Sequence, residues 1–273
     1  MHTFHSSSAG RALGVLLGLA AGDQNGGPIR MALRLAESLA ERQGFDPDDV
    51  MRRYMEWYRE GAFDTGPVAL SVFARIAGGQ PRAVAVRGVH EANGGLTAGC
   101  APAQRSAPLA MAAFVSDGEL ARAAREEAAL THFDSLAGDV AAAVVILCRG
   151  LIAGLAWPDA LARAAAGRAE VTRKALGGSG ADVGAIGRGG FAPEALAAAI
   201  HFLSQHDRLV TALEAAQAFA GPQNYCPVLV GSIGGARWGV DQVPVELIRH
   251  VELLPRLWHV GGQLASGWGL VRR

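Results

Sequence analysis

Lysine is almost absent from this 273-residue chain, since Lys174 is the single lysine among 25 basic residues. Because 25 acidic residues balance them, the chain lacks the basic excess that general nucleic-acid binders carry. Aromatic residues make up only 6% and charged residues 18%, whereas half of the chain is hydrophobic. This composition excludes intrinsic disorder, and the length allows a large buried core. The sequence predicts a folded protein that does not bind nucleic acid.

Cysteine is also scarce, and Cys100, Cys148 and Cys226 are widely separated with no Cys-x-x-Cys pair. Three such residues exclude a disulfide framework. A reducing compartment accommodates free thiols without further assumptions, and we expect a cytoplasmic location.

Targeting and membrane signals are missing as well. Residues 1–8 lack the charged and apolar regions of a secretory signal, and we expect them to form a flexible N-terminus. The longest apolar stretch, Leu136–Trp157, is interrupted by Asp139 and Arg149. The sequence therefore predicts no membrane association.

Helical periodicity dominates what is present. Met31, Leu35 and Leu39 recur four residues apart, a spacing that predicts one apolar helix face. No stretch alternates apolar and polar residues as a strand would. Further helices are predicted over Ala141–Trp157, Phe191–Leu203, Arg208–Ala220 and Val245–Leu254. We predict an all-α fold in which about ten helices, joined by glycine-rich loops, form one compact domain over residues 9–273.

The order of six short motifs resembles the ADP-ribosylglycohydrolase family between about Ala9 and Gly239. The motifs are AGRALGVLLGLAAGD (9–23), MALRLAESL (31–39), FDTGPVA (63–69), RSAPLA (105–110), THFD (131–134) and GSIGGARWG (231–239). The resemblance implies an all-α globule with a cleft at one end. It also implies removal of ADP-ribose from an acceptor with the help of paired magnesium ions.

Both metal-binding loops of that family are altered here. Residues 26–29, Gly-Gly-Pro-Ile, stand where the family has Thr-Asp-Asp-Thr, and residues 221–226, Gly-Pro-Gln-Asn-Tyr-Cys, replace Gly-Gly-Asp-Thr-Asp-Thr. Magnesium requires hard oxygen ligands, chiefly carboxylates. We therefore predict neither a metal site nor another cofactor.

Two aspartates are candidate catalytic carboxylates. Asp23 ends an apolar helix before a glycine-rich turn, where it either caps neighbouring N–H groups or acts as an acid or base lining the cleft. Asp64 lies in the polar break Phe-Asp-Thr-Gly, where it is either a helix N-cap or the carboxylate that contacts the substrate. The family match favours the second role for Asp64.

His132 and Asp134 stand at the head of the long apolar helix. His132 could bind the ribose or transfer a proton as a catalytic acid, or it could have a purely structural role. Asp134 is a candidate substrate ligand, although Asp134 or Thr131 could simply cap the helix. Asp139 within the helix needs a partner when buried. We predict His132 in that role, with a distant arginine as the alternative.

Several further residues are candidate substrate ligands. Asn25 and Arg30 flank the altered first loop and could hold a ribose or a phosphate, although Arg30 could equally be a solvated helix residue. Gly99 and Arg105 belong to the glycine-rich loop 94–105, whose backbone N–H groups could bind an anion.

The altered second loop supplies the remaining candidates for substrate binding, namely Gln223, Asn224 and Tyr225. Tyr225 could stack on a base or donate its hydroxyl. Cys100 and Cys226 fall in loops that the resemblance places at the cleft mouth, where they are either buried apolar side chains or a reactive pair.

These residues support two classes of function. The first is a hydrolase that cleaves an N- or O-ribosyl bond of an ADP-ribosylated or related ribosylated small molecule or protein without paired magnesium. The second is an inactive relative that binds ADP-ribose or a nucleotide. The sequence does not specify an oligomeric state.

Overall fold

The structure, a computed structural model, describes residues 7–178, 183–223 and 225–269. These residues contain fifteen α-helices and no β-strand, apart from one isolated bridge between Gly99 and Phe191. The helices are α1 (Ser8–Gly22), α2 (Gly27–Arg42), α3 (Pro47–Arg59), α4 (Pro67–Ala77), α5 (Arg82–Ala92), α6 (Ala101–Arg105), α7 (Pro108–Met111), α8 (Asp117–Ala128), α9 (Ser135–Ile152), α10 (Trp157–Ala165), α11 (Glu170–Leu176), α12 (Ala192–Gln205), α13 (Leu209–Ala220), α14 (Tyr225–Trp238) and α15 (Leu254–Ser266). The predicted all-α fold is confirmed.

Helices α1 and α14 make the closest helix pair in the core. A β-carbon on Gly18 would overlap the carbonyl oxygen of Gly231, and one on Gly14 would overlap that of Gly235. The reciprocal substitutions at Gly231 and Gly235 would meet α1 backbone in the same way. Glycines four residues apart on both helices therefore let the two backbones touch.

Helix α9 runs through the middle of the fold. Among the described residues it is the one helix long and apolar enough to cross a membrane, but 83% of that segment is buried inside the protein. Its neighbours are α8, α10 and α14, so its apolar surface is covered by other helices on most sides.

Asp139 of α9 is paired with arginines, and the prediction that His132 is its partner is wrong. Its carboxylate accepts hydrogen bonds from Arg125 Nη2 at 3.0 Å, Arg168 Nη1 at 3.2 Å and the Ala169 amide at 2.9 Å. These donors lower the pKa of Asp139 against the opposing effect of burial. The alternative of a distant arginine is the one that the structure supports.

The predicted helices Phe191–Leu203 and Arg208–Ala220 occur close to their predicted bounds, as α12 and α13. The predicted helix Ala141–Trp157 does not, because α9 begins earlier, at Ser135, and ends at Ile152, and Trp157 already belongs to α10. The described residues also form more helices than the ten or so that the sequence predicts.

The predicted helix Val245–Leu254 is wrong, because short 3₁₀ turns at Val245–Leu247 and Val251–Leu253 lead into α15 at Leu254. Residues 1–6 of the predicted flexible N-terminus lie outside the described residues, and Ser8 already belongs to α1.

Candidate functional site

A cavity of about 850 Å³ opens at one end of the helical globule. Helices α2, α4, α6, α9, α12 and α14 begin around it, so their first turns and the preceding loops form its walls. Six of the predicted site residues line this cavity: Asn25, Asp64, Gly99, His132, Asp134 and Tyr225. The structure thus brings together residues from five separate segments of the sequence.

Asp23 stands behind the cavity wall and holds the start of α2. The side chain is fully buried, and Oδ1 accepts hydrogen bonds from the amides of Asn25 at 3.1 Å and Gly26 at 2.8 Å. Oδ2 accepts one from the Ile29 amide at 2.8 Å. Burial raises the pKa of Asp23, and these donors oppose the rise. Asp23 does not line the cavity, and its contacts are those of the capping alternative.

Asp64 is a carboxylate that faces the cavity. Burial by the walls, reinforced by the charge of nearby Asp23, raises the pKa of Asp64 to about 6 although the side chain is open to solvent. Its Oδ2 accepts a hydrogen bond from the Gly27 amide at 3.3 Å. A β-carbon on Gly27 would overlap the Asp64 backbone, so this glycine allows the close approach.

The backbone of Asp64 has a φ of 50°, in the left-handed region that aspartate and asparagine tolerate better than other side chains. Gly66, not Asp64, is the N-cap of α4. The helix-cap alternative for Asp64 is therefore wrong, and its side chain is oriented by α2 instead.

His132 is neutral in this environment. Burial, together with the charge of Arg105, lowers the pKa of His132 to about 3. The Nδ1 atom shares a 2.8 Å hydrogen bond with Thr131 Oγ1, and Nε2 lies beside Gly99, where a β-carbon would sit 3.1 Å from it. A neutral imidazole can donate or accept a hydrogen bond but has no second proton to transfer near pH 7.

Arg105 lies behind His132 and does not line the cavity. Its guanidinium is 1% exposed, donates from Nε to Glu127 Oε1 at 2.6 Å and from Nη2 to Thr131 Oγ1 at 2.9 Å. Tyr54 donates its hydroxyl to the same Glu127 oxygen at 2.8 Å. Arg105 therefore positions Thr131 and, through it, His132, which is a different role from the predicted contact with substrate.

Arg30 does not line the cavity either. Its Nη1 donates to the Gly26 carbonyl at 3.0 Å, and its Nη2 pairs with Glu252 at 2.5 Å. The guanidinium stacks over the Phe63 ring at 4.9 Å. These contacts hold the guanidinium against the start of α2, Glu252 and the Phe63 ring.

The glycine-rich loop forms one wall together with the start of α12. The Cys100 amide donates to the Gly190 carbonyl at 2.8 Å, and the Ala192 amide donates to the Ala98 carbonyl at 2.9 Å. These two bonds flank the bridge between Gly99 and Phe191. Gly99 thus lies in a fixed wall rather than in a loose loop.

Asp134, Tyr225 and Asn25 complete the predicted lining. Asp134 caps α9 by accepting the Leu136 amide at 2.9 Å, and it also faces the cavity. Burial raises the pKa of Tyr225, so its phenol stays protonated at neutral pH. Asn25 Nδ2 donates to the Pro222 carbonyl at 3.4 Å, which connects the two loops that bind metal in the family.

The remaining predicted residues have different outcomes. Cys100 lines the cavity, but burial raises the pKa of both Cys100 and Cys226 to about 12, so both are protonated thiols. Gln223 ends a 3₁₀ turn at Gly221–Gln223. Asn224 lies outside the described residues.

Sequence reasoning missed several lining residues. Gln104 faces the cavity and donates from Nε2 to the Tyr225 carbonyl at 3.0 Å. Phe63, Leu96 and Phe191 are apolar lining residues with 45%, 84% and 41% of their surface exposed. In the sequence, Phe63 precedes Asp64, Leu96 lies in the glycine-rich loop and Phe191 comes shortly before Pro193. These positions could have indicated lining residues of a site, but apolar residues near the start of a helix are also common in protein cores.

The residues of the two altered loops offer few of the oxygen ligands that magnesium needs. Gly27, Pro28 and Ile29 form the first turn of α2 and offer no side-chain oxygen. Both oxygens of Asp23 accept backbone N–H groups. Among the described residues, no group of three or more His, Cys, Asp or Glu side chains is arranged to hold a metal ion.

Comparisons with known proteins agree on the fold. A search of curated proteins finds no match. A solved structure described as an ADP-ribosylglycohydrolase-related protein complex superposes with a TM-score of 0.78 at 26% identity, covering 96% of this chain and 99% of that one. The family model for ADP-ribosylglycohydrolases matches residues 29–270, which extends the likeness past Gly239 to nearly the end of the chain. The chain belongs to the ADP-ribosylglycohydrolase family.

Proposed function

We propose that this protein hydrolyses an N- or O-ribosyl bond of a ribosylated substrate without the paired magnesium ions of its family. The observation that carries the proposal is Asp64, a carboxylate with a pKa raised to about 6 that faces an 850 Å³ cavity in a glycohydrolase fold. A carboxylate of this kind is ionised at neutral pH yet able to accept a proton.

The chemistry needs one negative charge close to the anomeric carbon. Glycoside hydrolysis passes through an oxocarbenium-like transition state, and the Asp64 carboxylate stabilises the developing positive charge. Asp64 also accepts a proton from the attacking water. The C–N or C–O bond breaks with its electron pair going to the leaving group, which takes up a proton from solvent, and Asp64 then returns the proton of the attacking water to solvent.

The other polar lining residues bind and orient the sugar. His132, as a neutral imidazole beside Gly99, forms a hydrogen bond with a ribose hydroxyl through Nε2. Tyr225 and Asn25 offer a hydroxyl and an amide from the opposite loops. Orientation of the reacting bond against Asp64 contributes to the rate independently of proton transfer.

The side chains present do not fit a pair of magnesium ions. Magnesium prefers octahedral oxygen ligands and is usually held by carboxylates. The first turn of α2 supplies none, and the Asp23 carboxylate, which does not line the cavity, accepts three backbone N–H groups with its two oxygens. No step of the proposed reaction is therefore assigned to a metal.

A second candidate is a catalytically inactive relative that binds a ribosylated ligand. Two observations favour this candidate: Asp23 is engaged by backbone N–H groups, and His132 is neutral. Asp64 is therefore the main acid–base group of the cavity. A single carboxylate suffices for hydrolysis only when the leaving group departs readily. Turnover separates the two candidates.

Aglycone release from N- and O-ribosyl compounds, measured by chromatography with magnesium and with EDTA, tests the proposal. We expect turnover that EDTA does not change. Asp64→Asn keeps the left-handed backbone and the hydrogen bond from Gly27 but removes the charge, so we expect kcat to fall by about 100-fold or more. Asp207→Asn, an exposed change between α12 and α13, is the matched control.

The pH profile provides an independent readout. Because the ionised form of Asp64 is active, kcat/KM should rise with pH through about 6 and then level. Unchanged turnover in Asp64→Asn, or activity that disappears with EDTA, would contradict the proposal. Ligand binding with no product from any substrate would favour the inactive relative.

A further inference from the structure

The hydroxyl group of Thr131 connects the buried Arg105 to the imidazole of His132. Thr131 Oγ1 accepts a hydrogen bond from Arg105 Nη2 at 2.9 Å and lies 2.8 Å from His132 Nδ1. All three side chains are buried. Among the described residues, Thr131 Oγ1 has no other hydrogen-bond partner. The roles of donor and acceptor at this one oxygen therefore determine which ring nitrogen of His132 carries a proton.

Arg105 can only donate to Thr131, because a guanidinium offers no acceptor. Burial opposes the charge of Arg105, but the charge of Glu127, whose Oε1 lies 2.6 Å from Nε, outweighs that effect and raises the pKa of the guanidinium. The bond from Nη2 takes up one lone pair of Thr131 Oγ1. The hydroxyl hydrogen of Thr131 is left to donate.

The two neutral forms of the imidazole satisfy this hydroxyl differently. Burial and the charge of Arg105 lower the pKa of His132 to about 3, so the ring carries one proton near pH 7. With that proton on Nδ1, both Nη2 and Nδ1 would donate to Thr131, and the buried hydroxyl hydrogen would have no acceptor, which is costly. With the proton on Nε2, Thr131 donates to the lone pair of Nδ1 and each group has a partner. This form also directs a lone pair, rather than a proton, toward the positive charge of Arg105.

The other ring nitrogen, Nε2, lies on the cavity side of His132. His132 lines the cavity, and no hydrogen bond joins Nε2 to any residue in the described part of the chain. Gly99 forms the wall beside it, where a β-carbon would lie 3.1 Å from Nε2 and 3.6 Å from Cδ2. Because glycine has no β-carbon, this edge of the ring stays uncovered, and a proton on Nε2 is available to a ligand.

We infer that Thr131, held by Arg105, fixes His132 in the tautomer with its proton on Nε2, and that His132 binds the ligand as a hydrogen-bond donor. Thr131 and Arg105 act as positioning residues, whereas His132 contacts the ligand. The group that His132 recognises must therefore offer a lone pair. The tautomer is a property of the chain itself, but its use on a ribosyl ligand rests on the proposed function.

A donor at His132 complements the two carboxylates of the cavity lining. Asp64 and Asp134 both line the cavity and, when ionised, only accept hydrogen bonds. A sugar hydroxyl can accept a hydrogen bond from Nε2 and donate one to a carboxylate at the same time. An ether oxygen could satisfy only the donor. The fixed tautomer therefore favours a ligand with a free sugar hydroxyl at this position.

Nitrogen NMR of the full chain with isotope-labelled histidine tests the tautomer directly. The signals of His132 are identified by their loss in His132→Gln. Without ligand at pH 7, we expect Nε2 to have the chemical shift of a protonated ring nitrogen and Nδ1 that of an unprotonated one. Addition of ADP-ribose should move the Nε2 signal while the proton stays on Nε2.

Two variants of Thr131 test its role as a positioning residue. Thr131→Ser keeps the hydroxyl, so the nitrogen signals and the affinity for ADP-ribose should stay within about twofold of those of the parent chain. Thr131→Val has a similar shape but cannot donate to Nδ1. We expect its Nδ1 signal to move and ADP-ribose to bind about tenfold more weakly, because a hydrogen bond no longer holds the ring. The parent chain and Thr131→Ser decide the question even if Thr131→Val does not fold.

Several results would overturn the inference. They are a proton on Nδ1, a mixture of the two tautomers, transfer of the proton to Nδ1 when ADP-ribose binds, and equal affinity for ADP-ribose in Thr131→Val and the parent chain. A proton on Nε2 without binding of ADP-ribose would support the tautomer and contradict the ribosyl ligand of the proposed function. Binding of ADP-ribose with the expected shift, but no turnover of any ribosyl substrate, would support the inference and contradict the hydrolysis.

Discussion

Asp23 and Asp64 are the same residue type but have different roles, because Asp23 is buried and Asp64 faces the cavity. Asp23 directly follows the apolar helix α1, whereas Asp64 lies between the charged helix α3 and α4, and each precedes a glycine-containing turn. Asp23 is enclosed by the start of α2 and accepts three amides, whereas Asp64 accepts one and faces the cavity. The charge of Asp23 nevertheless raises the pKa of Asp64, so the buried residue influences the exposed one.

We expect Asp23→Ala to destabilise the fold strongly. Three amides at the start of α2 would lose their acceptor inside the protein, and each buried unsatisfied group is costly. The free energy of unfolding should fall by about 2–4 kcal/mol in urea denaturation. Asp46→Ala is the comparison, because Asp46 caps α3 with two amides near the surface.

The surface cap should cost only about 1 kcal/mol when removed. If Asp23→Ala costs no more than Asp46→Ala, Asp23 is not the anchor that its hydrogen bonds indicate.

At the scale of the element, helices with strong periodicity were predictable and their connections were not. The spacing of Met31, Leu35 and Leu39 identified α2, and all three residues are buried. The segment 245–253 is also rich in apolar residues, but it forms 3₁₀ turns before α15. A short apolar segment does not distinguish a helix from a packed turn, because the distinction depends on which tertiary surface covers it.

The glycine contact between α1 and α14 gives an element-scale prediction. Gly18→Ala would place a methyl group against the Gly231 carbonyl, so the helices would have to separate. We expect a loss of about 1–3 kcal/mol in the free energy of unfolding, typical of overpacking. Gly262→Ala is the matched control, because Gly262 lies in α15 with open space around its α-carbon.

The control should be neutral or slightly stabilising, because alanine is the better helix former. Calorimetric melting of the two variants measures the difference. Similar melting temperatures for both would show that the helix pair tolerates a wider spacing than the structure contains.

On the scale of the whole molecule, a buried polar network connects the core to the cavity. It runs from Tyr54 in α3 through Glu127 in α8 to Arg105 in α6, and then through Thr131 to His132. The sequence identified Arg105 and His132 as site residues because the family motifs contain them. It could not show that Glu127, 22 residues later, neutralises Arg105, because their pairing exists only after folding.

Glu127→Gln tests the network. The change keeps the shape but leaves the Arg105 charge buried without its counterion, and uncompensated buried charges are strongly destabilising. We expect the free energy of unfolding to fall by about 3–5 kcal/mol in urea denaturation.

Replacing both partners, as in Arg105→Met with Glu127→Leu, removes the charges together and should recover much of that loss. A double variant as unstable as Glu127→Gln would mean that packing, rather than charge compensation, holds these helices. The double variant could also recover its stability but bind a ribosylated ligand more weakly. That result would show that the pair positions Thr131 and His132, because the double variant lacks only the hydrogen bond that connects Arg105 to the cavity.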